Sequence, residues 1–153
     1  MISIRQILQP GQVNLFLSAL TQPTAVEEVL GSLSGDVRVM DWDALRGAVI
    51  QRNAPAISSS PCGIVIAHGR TNAVNALVMA AGRSPEGLHV TDIPELVRLV
   101  FVVGIPSALN NEYLRVVGTI ARLCSKPALV GELLATADPD AFIELFASSE
   151  SVL

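Results

Sequence analysis

The run Cys62-Gly63-Ile64-Val65-Ile66-Ala67-His68-Gly69-Arg70 sets the strongest limit on the fold. It is apolar with weak alternation, so it reads as a strand buried on both faces, inside a sheet covered by helices. A histidine stands near its end, between Ala67 and Gly69. Small neighbours leave both faces of the imidazole open, and Gly69 allows a sharp turn out of the sheet. Arg70 adds a permanent cation beside the ring. That disfavours imidazolium and keeps a nitrogen lone pair available near pH 7. A neutral imidazole beside a cation, in a glycine-lined mouth, suits attack on a phosphoryl group. The competing reading is a histidine that merely ends a strand, with its ring on a backbone carbonyl. The residues alone leave both open.

Other segments supply the layers such a strand needs. Val13–Leu17 fits a strand or a helix. Ala76–Ala81, ending on Gly82, reads as a second buried strand, followed by a polar turn over Ser84–Thr91 with His89 exposed in it. Leu96–Val103 is the most apolar strand, interrupted by Arg98 and stopped by Pro106. Between these lie helical patterns. One opens at Thr21–Pro23 with Thr24 as N-cap and Glu27 completing a capping box. Its apolar stripe is Val26, Val29, Leu30 and Leu33, and Gly31 or Gly35 ends it. The next is capped by Asp41, turns Trp42, Leu45, Val49 and Ile50 inward, and carries Gln51, Arg52 and Asn53 to its C-terminal end. Asn110–Leu123 is amphipathic, with Tyr113, Val116, Val117, Ile120 and Leu123 inward and Leu114 and Ala121 beside them. Two shorter helices follow, over Lys126–Ala135 and Asp138–Phe146, the last capped by Asp138 with Pro139 at its first position. No Asn-Gly signal links neighbouring strands as a hairpin. The pattern predicts an α/β fold: one domain over residues 1–153, a central mixed β-sheet with helices on both faces.

Composition narrows the function. Half of the 153 residues are hydrophobic and 16% are charged, which suits a packed soluble core rather than disorder. A net charge of -4 argues against nucleic acid. The apolar runs are too short for membrane insertion. Met1–Arg5 lacks the apolar core of a secretory signal. Cys62 and Cys124 are too few for a disulfide scaffold and lack metal spacing, so free thiols in a reducing cytoplasm are expected. Cys62 and His68 are about 20 Å apart along an extended strand, too far for a catalytic pair. The loop Ala54–Pro61 has two readings, a flexible serine-rich linker or a wall of hydroxyls and amides facing a phosphoryl group.

Around His68 the chain resembles the phosphorylation site of the fructose/mannitol-type enzyme IIA domains of the bacterial phosphotransferase system, which include the nitrogen-regulatory IIA proteins. The matching residues are Arg52 and Asn53 before the site, Ser58 at a Ser/Thr position, then Gly63, Ile64, Ile66, His68 and Gly69. The chain departs from the family at Ser59, Ser60 and Pro61, where a glycine-rich turn is usual. Val65 replaces the usual Ala and Ala67 the usual Pro. A second family histidine, early in the helix after the longest strand, falls at Tyr113. A phenol can donate to a phosphate oxygen but cannot become cationic. Tyr113 also fits as a plain core residue.

The resemblance implies a strand at Val13–Leu17 and a cytoplasmic phosphocarrier without metal or organic cofactor. His68 would take a phosphoryl group from the histidine-containing phosphocarrier protein and pass it to a cysteine of a IIB protein or domain. It also implies supporting roles for Arg52, Ser58, Gly63 and Tyr113. The departures leave an alternative, a IIA-like module that binds a regulatory target protein and has lost phosphotransfer. Metal-dependent and hydrolytic chemistry lack their residue sets.

Overall fold

A computed structural model describes residues 3–150, and within them every side chain except those of Asn110, Tyr113 and Glu150. In chain order the elements are α1 (Ile4–Ile7), β1 (Val13–Asn14), α2 (Gln22–Gly31), α3 (Trp42–Arg52), β2 (Ala56–Ile57), β3 (Gly63–Arg70), β4 (Val78–Leu88), β5 (Val97–Ile105), α4 (Asn110–Leu123), α5 (Pro127–Ala135) and α6 (Pro139–Glu150). The sheet order is β1-β4-β5-β3-β2. β3 runs parallel to β5, and β1 parallel to β4. β4 pairs with β5, and β2 with β3, antiparallel. This is the α/β mixed sheet that the alternating pattern predicts.

Helices cover both faces. Ile64 and Ile66 of β3, with Leu99, Phe101 and Val103 of β5, pack with residues of α1, α4, α5 and α6. Val65 and Ala67, with Val100 and Val102, pack with α2 and α3. The two-residue period of a strand therefore assigns each β3 side chain to a layer. By that period His68 follows Ile64 and Ile66 onto the α4 face.

Several boundaries differ from the sequence expectation, each for a physical reason. The α2 N-cap is Thr21, whose side chain accepts from the Thr24 amide; Thr24 is the third helical residue. Pro23 lies in the first turn, where its missing N–H is no loss, so the cap must precede it. Glu27 instead pairs with Arg46 of α3 at 2.5 Å. β4 does not end at Gly82. A Cβ there would stand 2.5 Å from Val29 Cγ2, so the glycine makes room for α2. The expected turn at Ser84–Thr91 is largely strand, irregular between Arg83 and Leu88, with Gly87 at φ 80°. β4 and β5 are antiparallel neighbours despite lacking a tight turn, because residues 89–96 form the connection. Ile50 is 38% exposed rather than inward, and Leu114 is 68% exposed. Both lie off the stripe of their helices, Leu114 away from the buried row Val116, Ile120 and Leu123. Gly69 does not turn the chain out, since β3 continues to Arg70.

Candidate functional site

His68 sits near the C-terminal end of β3, registered with Val103 of β5, and is half-buried. Its Nδ1 lies 3.4 Å from the Ile66 carbonyl oxygen. A carbonyl can only accept, so the tautomer that makes this contact carries its proton on Nδ1 and leaves the lone pair on Nε2. Burial pushes the imidazole pKa below its ordinary 6.5, the Arg52 charge pushes it further down, and the Ile66 carbonyl partly offsets both. The ring is a neutral base at pH 7.

The cation acting on the ring is Arg52, not the adjacent Arg70. Arg70 is turned to the chain that follows β5, donating to the Ser107 carbonyl at 3.3 Å. Arg52 is the last residue of α3, whose start is fixed by Asp41 accepting from the Ala44 amide at 3.1 Å. Asn53 ends that helix in the left-handed region, φ 48°, its N–H on the Ile50 carbonyl. Asn tolerates this conformation better than most residues. Gly69 decides where α3 lies. A Cβ at Gly69 would stand 2.9 Å from the Val49 nitrogen and 3.0 Å from Ala48. The missing side chain thus lets the α3 backbone rest directly on β3 beside His68.

α4 begins just beyond the same end of the sheet. The Thr71 amide donates to the Ile105 carbonyl at 2.8 Å, joining the end of β3 to the end of β5. The N-cap residue of α4, Leu109, makes no side-chain cap. The first turn of a helix carries N–H groups without intrahelical partners, a setting that suits an anion or water. The Tyr113 main chain is in that first turn; its side chain, expected to support a phosphoryl group, lies outside the described residues.

Ser58 and Gly63 are not brought to the ring. The antiparallel register pairs Ile57 with Ile64, so Ser58 falls beside the start of β3. His68 lies five residue steps along the strand from Gly63, roughly 17 Å. The Ser58 hydroxyl donates instead to Glu95 Oε1 at 2.6 Å. Ser59 donates to the Cys124 carbonyl at the end of α4, at 2.7 Å. These hydroxyls staple the loop to its neighbours, and neither reading of the segment, linker or phosphate wall, describes them. Gly63 sits in a packed setting, where a Cβ would press on the tip of the Ile93 side chain and stand 3.2 Å from Val97 Cγ2. Both thiols are buried and unpaired, and burial pushes Cys124 up to about 12. Among the described residues no group of three His, Cys, Asp or Glu could hold a metal ion. No described helix is long and apolar enough to cross a membrane.

Residues 6–149 match the family described as phosphoenolpyruvate-dependent sugar phosphotransferase system, EIIA 2. The fructose-specific EIIA component of Haloferax volcanii is 31% identical over 114 residues, covering 71% of this chain and 74% of that protein. The fructose-specific EIIABC component of Bacillus subtilis is 22% identical over 145 residues, 94% of this chain but only 23% of that protein. Nitrogen regulatory protein IIA-Ntr of Neisseria meningitidis superposes with a TM-score of 0.82 at 19% identity, over 94% of this chain and 98% of that one. The Escherichia coli mannitol enzyme IIA, solved in complex with its phosphorylated enzyme IIB, gives 0.74 at 18% identity, over 93% and 99%.

Proposed function

Because the chain belongs to the type 2 EIIA family of the phosphoenolpyruvate-dependent sugar phosphotransferase system, we propose that it is a phosphocarrier with His68 Nε2 as the phosphoryl acceptor. The observation that carries this reading is the contact of Nδ1 with the Ile66 carbonyl, which leaves Nε2 as the nucleophilic nitrogen. In the transfer, a bond forms between Nε2 and phosphorus as the phosphorus–nitrogen bond of a donor phosphohistidine breaks. The donor imidazole leaves with the electron pair of that bond. Positive charge grows on the His68 ring, and the carbonyl at Nδ1 stabilises it. Three phosphoryl oxygens carry the negative charge, so fixed donors around them matter most. Arg52 supplies a cation, and the uncapped first turn of α4 supplies N–H groups. Tyr113, in that turn, is a further donor in this proposal.

The donor would be the histidine-containing carrier protein and the acceptor a cysteine of a IIB partner. The complex of the E. coli mannitol enzyme IIA with phosphorylated IIB supports a IIB protein as partner, by likeness of fold. A second reading, a module whose phosphorylation state regulates a target protein, is favoured by the likeness to IIA-Ntr and by Tyr113 in place of the second histidine. In both readings the chain acts in the cytoplasm, where phosphoenolpyruvate is made.

The test is incubation with phosphoenolpyruvate and the general phosphotransferase proteins. Acid-labile phosphate is expected on the wild type and absent from His68→Ala. Equal labelling of both would overturn the assignment.

A further inference from the structure

A second site lies at the other end of the sheet. Arg83 of β4 is 8% exposed, and no carboxylate pairs with it among the described residues. Its Nη1 donates to the carbonyls of Leu133, Leu134 and Thr136 at the end of α5, at 2.8–3.2 Å, and its Nε to Leu15 at 3.3 Å. Nη2 makes none of these bonds. Arg98 of β5 makes one such bond, from Nη1 to the Pro85 carbonyl at 2.5 Å, and it too has no carboxylate partner among the described residues. Arg83 and Arg98 both line one open cavity of about 200 Å³, with Phe16, Ser84, Pro85 and Leu134. No acidic side chain lines it. Phe16 is 71% exposed, and its ring centroid is 5.8 Å from the Arg83 guanidinium carbon.

The cavity lining carries two positive charges and no carboxylate. The end of α5 offers about half a negative charge against two full positive ones. Capping of α5 explains Arg83 alone. It does not explain a second carbonyl-tethered arginine in the same cavity, or a phenyl ring left in solvent beside them. Two guanidinium groups held in place by main-chain acceptors are preorganised for a carboxylate or phosphate, with little ordering cost on binding. The exposed ring provides a platform for a flat or compact apolar body.

We infer that this cavity binds a small organic oxyanion, a carboxylate or phosphate monoester held between Arg83 and Arg98 with its body against Phe16. The site is separate from His68. Along β5 Val103, the partner of His68, lies five residue steps from Arg98, roughly 17 Å.

The test is titration of the whole chain at low ionic strength, where exposed charges are least screened, following the arginine Nε resonances. The probes are inorganic phosphate, benzoate and the neutral analogue benzamide. Phosphate and benzoate should shift the Arg83 and Arg98 signals saturably at millimolar concentration, benzoate the more tightly, and benzamide should shift neither. Arg98→Gln should weaken binding about ten- to a hundredfold, the worth of one charge-assisted hydrogen bond, with an unchanged amide spectrum. His68→Ala should bind both anions as the wild type does. Absence of saturable shifts, full affinity in Arg98→Gln, or loss of binding in His68→Ala would overturn the site. Benzoate binding no tighter than phosphate would overturn the role of Phe16.

Discussion

Gly69 of β3 and Val49 of α3 approach too closely for any side chain to fit between them: a Cβ on Gly69 would stand 2.9 Å from the Val49 amide nitrogen. This contact seats α3 so that Arg52, at its end, acts on the ring one residue before Gly69. Gly69→Ala should therefore displace the helix and the cation together. The expected cost is about 1–3 kcal/mol of stability, as for other overpacked sites, with a lower transfer rate at temperatures where the variant is still folded. Denaturant melts and transfer assays on the one variant check both.

Arg52→Gln removes a charge that lowers the His68 pKa, so the pKa should rise toward 6.5 without reaching it, because burial, the larger cause, is unchanged. Transfer should nonetheless slow, since the same cation faces the phosphoryl oxygens in the proposed mechanism. Titration of the imidazole proton signals reads the first effect and phosphotransfer kinetics the second. An unchanged pKa would separate Arg52 from the ring.

The depressed pKa of His68 also bears on acid stability. The unfolded chain takes up a proton on this residue near pH 6.5, while the folded chain resists it. Unfolding then binds more protons, so stability from this residue falls as pH drops below 6.5 toward the folded value. His68→Gln abolishes this contribution. Its melting temperature should decline less steeply than that of the wild type across this window, and parallel curves would contradict the prediction.

Asp36 also loses stability toward acid pH, but because its charged form is held by donors rather than because a charge is excluded. Its carboxylate, 8% exposed, bonds Arg38 Nη2 at 2.6 Å and Nε at 2.9 Å, and accepts from the Gln12 amide. These donors, led by Arg38, hold its pKa at about 2 against an ordinary 3.8. Arg38 in turn reaches the carbonyls of Ile7 and Leu77, tying the N-terminal segment to the lead into β4. The stabilisation is complete above pH 3.8 and lost as pH falls through about 2. Asp36→Asn should cost about 1.5–3 kcal/mol at neutral pH, measurable by urea melts, with little effect on transfer at His68.

The sequence shows some of this directly and hides the rest for identifiable reasons. α4 is readable from Asn110 to Leu123 because Val116, Ile120 and Leu123 repeat at helical spacing. β3 and β5 are readable because both faces are covered, leaving nearly unbroken apolar runs. The continuation of β4 past Gly82 is not, because Arg83 and Ser84 look like turn residues until α5 carbonyls and the sheet bury them. Arg52 can be placed near His68 from its spacing and the family likeness. Ser58 cannot, since a serine hydroxyl suits many acceptors and only the β2–β3 register shows that it faces Glu95. The role of Gly69 is hidden because a glycine that turns a chain and one that admits a helix backbone are the same letter.

The central claim is that His68 carries the phosphoryl group on Nε2. The direct measurement is nitrogen NMR of the histidine side chains after phosphorylation with phosphoenolpyruvate and the general phosphotransferase proteins. The account predicts a phosphorus–nitrogen coupling at Nε2 of His68, with Nδ1 still protonated and His89 unchanged. A coupling at Nδ1, or phosphate on any residue other than His68, would contradict it.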